Sequence, residues 1–164
     1  MKMSILSIAM LSSLTFAMPA AADENDWKEL SGLAFQSIDK DEDGHLTASE
    51  YSSFGDAVFS SMDNDNSKAL ALNEFYNWGF GMHNAAEDAG QSEAFKTAMR
   101  VVFALWDRNA DGQVTAAEYR ESIDLDFLRA DLDRDRTLTE PEYLSGFSVV
   151  VAAKAAIHPQ STNN

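Results

Sequence analysis

Apolar residues along this chain fall at helical spacing, and the helical runs are broken four times by short polar segments dense in carboxylates. Phe95, Ala98, Met99, Val102, Phe103 and Trp106 keep an i, i+3, i+4, i+7, i+8, i+11 rhythm behind a predicted N-cap at Ser92, which places them on one helix face. Trp27, Leu30, Ala34, Phe35 and Ile38 do the same behind Asp26, where Glu29 completes a capping box. Tyr51, Phe54, Gly55, Val58, Phe59 and Met62 hold a single helical phase between two of the breaks. The predicted class is all-α. A different pattern opens the chain: an apolar run from Ile5 to Met18, one preceding cation at Lys2, and Pro19-Ala20-Ala21-Ala22 after it. It lacks a polar face and is too short to span a bilayer comfortably, so residues 1–22 read as a secretory signal peptide.

The four breaks are versions of one 12-residue segment, starting at Asp39, Asp63, Asp107 and Asp131. Starts lie 24 residues apart within each half, and the second half repeats the first at an offset of 68, the signature of a duplicated unit. The flanks repeat as well. Phe35, Phe59, Phe103 and Phe127 stand four residues before a segment, and Tyr51, Phe75, Tyr119 and Tyr143 stand directly after one. Glycines at 79, 81 and 90, with Asn84, Glu87 and Asp88, interrupt the apolar period between the halves and suggest a linker. The predicted organisation is a signal peptide (1–22), a first pair of segments (23–79), a linker (80–91), a second pair (92–158) and a disordered tail (159–164).

The segments carry hard oxygen donors at alternating positions, the chemistry that suits calcium, which takes six to eight oxygens at 2.3–2.6 Å. The first offers carboxylates from Asp39, Asp41 and Asp43, the His45 carbonyl, Thr47 through a water or its hydroxyl, and both oxygens of Glu50. Gly44 permits a positive φ at position 6, and Leu46 at position 8 turns inward. These residues resemble the EF-hand family motif, and the resemblance implies helix-loop-helix calcium binding: four calcium loops in two pairs, with a short helix shared within each pair.

The third loop matches as well, with Asp107, Asn109, Asp111, the Gln113 carbonyl, Thr115 and Glu118 around Gly112. The fourth has Asp131, Asp133, Asp135, the Thr137 carbonyl, Thr139 and Glu142, but Arg136 stands where glycine is usual. Left-handed backbone at such a residue costs about 1–2 kcal/mol. Pro141 falls in the first turn of the following helix, where no donor is needed. The second departs furthest: Asp63, Asp65, the Ala69 carbonyl and Glu74 remain as ligands, but Ser67 stands in for a carboxylate as the position-5 ligand, Lys68 replaces glycine and Ala71 holds position 9. It is expected to be the weakest site.

Only twelve residues separate Glu50 from Asp63, and Glu118 from Asp131. A single helix over that span holds its two loops about 20 Å apart, too far to pair directly. Either the helix breaks near Ser52-Ser53-Phe54-Gly55, or loops pair across the halves into one compact domain.

Charge and composition then narrow the function. The formal net charge is −15, one unit more negative without Lys2. Such a surface repels nucleic acid and anionic lipid, and the ligand carboxylates supply more than half of the acidic residues. Cysteine is absent, so there is no disulfide framework and no thiolate site. No GxSxG, HExxH, phosphate loop or Cys-His pair occurs, and an enzyme is not expected. His45, His83 and His158 are scattered. Of seven methionines only Met62, Met82 and Met99 follow the signal peptide, few for a sensor that exposes a methionine-lined groove to a protein partner. The expected role is a calcium buffer or calcium-stabilised binding module, with a sensor as the alternative. The run Phe147–Ile157 reads as a terminal helix packed on its own lobe, with a partner surface as its alternative. The resemblance extends to secreted bacterial proteins with duplicated EF-hand pairs, and no ER-retention ending is present. The expected location is periplasmic or extracellular.

Overall fold

The computed structural model describes residue 32 and residues 34–78 and 82–158. The signal-peptide segment, the Asp26–Glu29 capping box and the 159–164 tail lie outside the described residues. In chain order the elements are α1 (34–38), β1 (Leu46–Thr47), α2 (Ala48–Met62), β2 (Ala69–Ala71), α3 (Leu72–Trp78), α4 (Met82–Asp88), α5 (Ser92–Trp106), β3 (Gln113–Thr115), α6 (Ala116–Ala130), β4 (Thr137–Leu138), α7 (Glu140–Gly146) and α8 (Ser148–Ile157). The chain is mostly helical, with two small two-stranded sheets. Among the described residues no helix is long and apolar enough to cross a membrane.

Helix α2 runs unbroken through Ser52-Ser53-Phe54-Gly55, so the kink alternative falls and pairing crosses the two halves. Strand β1 pairs antiparallel with β4, Leu46 opposite Leu138, and β2 pairs with β3, Leu70 opposite Val114. Loop 1 therefore joins loop 4, and loop 2 joins loop 3. The four position-8 aliphatics that meet in these sheets are fully buried. Because α2 leads from loop 1 to loop 2 and α6 from loop 3 to loop 4, the same pairing sets α2 and α6 antiparallel against each other. They touch at their equivalent midpoints: a Cβ built on Gly55 would sit 3.2 Å from Ile123 Cγ2.

The flanking aromatics explain why the halves close on each other. Each phenylalanine that precedes a loop meets the aromatic that follows that loop's spatial partner. The ring centroids are 6.0 Å apart for Phe35 and Tyr143, 5.7 Å for Phe103 and Phe75, 5.6 Å for Phe127 and Tyr51, and 5.3 Å for Phe59 and Tyr119. All eight rings are buried, and each such pair contributes about 0.5–1.5 kcal/mol beyond its area. A shift of 68 residues exchanges the first two pairs and the last two, so the core has the approximate two-fold symmetry of the duplicated sequence.

Two expectations change in detail, at the linker and at Ser92, and a third, the terminal helix, holds. The segment read as a linker carries α4, whose Met82, Ala85 and Ala86 are buried. The chain reverses after it at Gly90, whose φ of +68° suits a residue without Cβ. Ser92 is the first residue of α5 rather than its cap; Gln91 holds the cap position without a side-chain bond. The run after Phe147 is the packed helix: α8 buries Val149, Ala153 and Ile157 and lies chiefly against α5.

Candidate metal centres

Each loop begins where a helix ends. The N–H groups of Asp39, Asp63, Asp107 and Asp131 close the last turns onto the carbonyls of Phe35, Phe59, Phe103 and Phe127 at 2.8–3.0 Å. Burial of the phenylalanine thus fixes the point at which the first ligand leaves the helix. Each loop then bends through two left-handed residues at positions 4 and 6: Glu42 and Gly44, Asn66 and Lys68, Ala110 and Gly112, Arg134 and Arg136. Lys68 and Arg136 adopt φ of +67° and +74°, against +83° and +88° for Gly44 and Gly112. The backbone course is common to all four, and at position 6 two of the loops reach it at the steric cost of a side chain.

This bend aims successive amides at the first carboxylate. Asp39 accepts from the N–H groups of Asp43 (3.2 Å) and Gly44 (2.9 Å), and Asp107 from Asp111 (3.1 Å) and Gly112 (2.9 Å). Asp63 accepts from Ser67 (2.9 Å) and Lys68 (3.0 Å), and Asp131 from Arg136 (3.1 Å). The other oxygen of Asp131, Oδ1, is buried without a partner. An orphaned carboxylate oxygen facing other acids calls for a cation, and the oxygen-only donor set suits a hard one.

The closing glutamates are positioned by their own helices. Glu50, Glu118 and Glu142 accept the N–H and O–H of Thr47, Thr115 and Thr139 at 2.7–2.9 Å on one oxygen. Their other oxygens reach across to the Lys40, Asn109 and Leu132 amides at 2.8, 3.3 and 3.1 Å. These bonds favour the carboxylate and hold all three groups below the ordinary glutamate range, with the threonine N–H as the first cause. Glu74 repeats the reach with its backbone partners alone, Ala71 N–H at 2.9 Å and Asn64 N–H at 3.0 Å.

Three acidic groups come together closely enough to share an ion, their donor oxygens within 4.8 Å of one another: Asp39, Asp41 and Asp43; Asp63, Asp65 and Glu74; Asp131, Asp133 and Glu142. Asp41 is pushed upward, first by desolvation and then by the neighbouring Asp43 charge. In loop 3 the middle acid is Asn109, whose amide donates to Asp111 at 3.0 Å and whose oxygen accepts the Asp111 N–H at 2.8 Å. Loop 2 differs at the point the sequence marked as weak: the Ser67 hydroxyl donates to the Ala69 carbonyl at 2.8 Å, occupying an oxygen needed for an ion. The Ser67 N–H also donates to Asp65 at 2.9 Å.

The carbonyl-bearing residues His45, Ala69, Gln113 and Thr137 sit at position 7, at the edges of the two sheets. The His45 ring lies 3.4 Å from Thr137 Oγ1 across the loop 1–loop 4 junction, and Thr137 in turn donates to Asp135 at 2.8 Å. Asp126 was not singled out by sequence. This buried carboxylate on α6 accepts the N–H (3.1 Å) and O–H (2.7 Å) of Ser148 at the start of α8, and Arg129 pairs with it at 2.8 Å. Burial raises its pKa against these contacts. Its equivalent in the first half is Val58, so the repeat gives no signal for it.

Compared with known protein families, residues 33–55 match the EF hand; no curated protein sequence matches the chain. The matched stretch holds α1, loop 1 and the first half of α2. The EF hand is a calcium-binding unit, and the acidic clusters of loops 2 and 4 fit loops of the same kind.

Proposed function

We propose that this protein is an exported, non-enzymatic calcium binder in which all four loops take an ion, serving as a buffer or a calcium-stabilised binding module. The observation that carries this reading is the shared loop geometry: the same two left-handed turns and the same clasp by a closing glutamate recur in all four loops, including the two without glycine. A solvated acidic turn has no reason to hold Lys68 and Arg136 in left-handed backbone. Carboxylates crowded in each loop repel one another until a cation neutralises them, which couples binding to stability. Export rests on the signal-peptide pattern of residues 1–22, and a periplasmic or extracellular site follows from it.

A buffer or scaffold is preferred over a sensor because Met62, Met82 and Met99 are each only 1% exposed, so that among the described residues no methionine stands at the surface to line a target groove. A calorimetric calcium titration with a magnesium control and parallel ANS fluorescence tests the reading. Four sites without new ANS binding support it, and three sites overturn the four-ion stoichiometry. The same sites with strong new ANS binding favour a sensor, and no heat at millimolar calcium refutes calcium binding.

A further inference from the structure

Between α3 and α5 lies an open cleft of about 430 Å³ lined by Leu72, Asn73, Tyr76, Lys96 and Arg100. Its size falls in the range of small-molecule sites, which pair an apolar lining with a few polar groups. Leu72 and the Tyr76 ring, itself held by Phe95 at 5.9 Å, form the apolar wall. Lys96 and Arg100, one turn apart on α5, give the cleft a positive edge.

Two observations mark this edge as more than chance surface. The chain has 27 acidic residues against 12 basic ones, yet among the described residues no carboxylate lies within ion-pair distance of Arg100. Lys96 has a single exposed partner one turn back, Glu93 at 2.8 Å, a pair that contributes little in water. The duplicated sequence also does not impose the feature. At the 68-residue offset Lys96 corresponds to another lysine, Lys28, but Leu72, Asn73, Tyr76 and Arg100 correspond to Glu140, Pro141, Leu144 and Gly32, and Glu140 Oε1 stands 2.9 Å from where a Cβ on Gly32 would lie. One lobe thus presents an acid where the other presents an arginine beside an aromatic wall.

We propose that this cleft binds a small amphipathic anion, an aromatic or acyl carboxylate, with its apolar body against Leu72 and Tyr76 and its carboxylate between Lys96 and Arg100. Charge selects the head group, and guanidinium can take it by two parallel hydrogen bonds. The volume selects a free small molecule over a macromolecular segment. Lys96 and Arg100 lie outside the loops, whereas Leu72 and Asn73 are positions 10 and 11 of loop 2, directly before Glu74, so binding is measured both in calcium and in chelator.

The test is calorimetric titration of the protein with 1-naphthoate and with 1-naphthamide, a neutral molecule of the same shape, in calcium and in chelator. One-to-one naphthoate binding at least about tenfold tighter than the amide, with a similar loss in Arg100→Glu, supports the site. Tyr76→Ala should weaken both ligands, while circular dichroism and the calcium titration of each variant report that the fold is intact. Equal affinity for amide and carboxylate, unchanged affinity in Arg100→Glu, or no naphthoate binding at millimolar concentration in either condition overturns the proposal.

Discussion

The two halves of the duplicated chain agree in their loop backbones and flanking rings and diverge where their shared helices α2 and α6 touch. Residues 34–78 and 102–146 carry the same loop backbone, the same closing glutamates and the same flanking aromatics. At the contact between their shared helices, Gly55 faces its own equivalent Ile123, and one turn further Val58 corresponds to Asp126. Two identical helices crossing at one point cannot both place a branched side chain there; the smaller partner makes the approach possible. In each half, too, one loop has glycine at position 6 and the other a cation. The cross-pairing seats Gly44 with Arg136 and Lys68 with Gly112 in their respective lobes, so each lobe joins one unstrained loop to one strained loop.

The largest expected effect strikes the ligands. Glu50→Gln removes a charged bidentate donor and should weaken loop 1 by about a hundredfold, or about 2.8 kcal/mol at 1.4 kcal/mol per decade. A smaller loss should follow in loop 4, joined through β1 and β4, and none in loop 2. Site-resolved NMR titration separates these outcomes, and parallel loss in loop 2 would mean that coupling runs along α2 instead. Gly55→Ile places two branched residues at the helix contact and should cost about 1–3 kcal/mol of stability in urea unfolding. Adding Ile123→Gly should return part of it, since the pair is then exchanged rather than crowded.

Lys68→Gly and Arg136→Gly should each strengthen their own loop by up to about tenfold, the equivalent of about 1–2 kcal/mol of relieved left-handed strain. Loop 2 should gain less in absolute affinity than loop 4 reaches, because the Ser67 hydroxyl still engages the Ala69 carbonyl. Isothermal titration of the two variants ranks them.

The smallest effect is in pH dependence. Asp126 has its folded pKa raised by burial, so the native state binds its proton more readily than the unfolded chain. Its contribution to stability is greatest below the ordinary aspartate range and falls as pH rises through the folded pKa. Glu50, Glu118 and Glu142 have lowered values, and their contribution is lost as pH falls. Asp126→Asn should therefore remove only the first trend from calcium-free unfolding midpoints measured against pH; an unchanged slope would place the carboxylate in a more hydrated setting than its Ser148 and Arg129 contacts indicate.

The loop backbone could be read from the chain because its pattern is local: twelve consecutive residues contain the candidate donors, the turn and the closing glutamate, and the aromatics at Phe35 and Tyr51 repeat their places four times. The helix shared by loops 1 and 2 was readable for the same reason, from the unbroken phase of Tyr51 to Met62. Which loops pair was not, since that depends on α2 staying straight through Gly55, and a glycine there reads equally as a kink or as a close helix contact. Asp126 was hidden because a lone carboxylate in an acidic chain looks solvated until Ser148, 22 residues later, comes to meet it. The cleft at Tyr76 and Arg100 joins two elements that are distant in the repeat pattern and share no motif.

The most direct measurement is a site-resolved calcium titration of the protein by NMR, following the amides of Leu46, Leu70, Val114 and Leu138 at the centres of the two sheets. The account predicts that Leu46 and Leu138 respond together, that Leu70 and Val114 respond together, and that all four saturate with calcium. Unchanged amides at millimolar calcium, or a response in which Leu46 tracks Leu70 instead of Leu138, would contradict it.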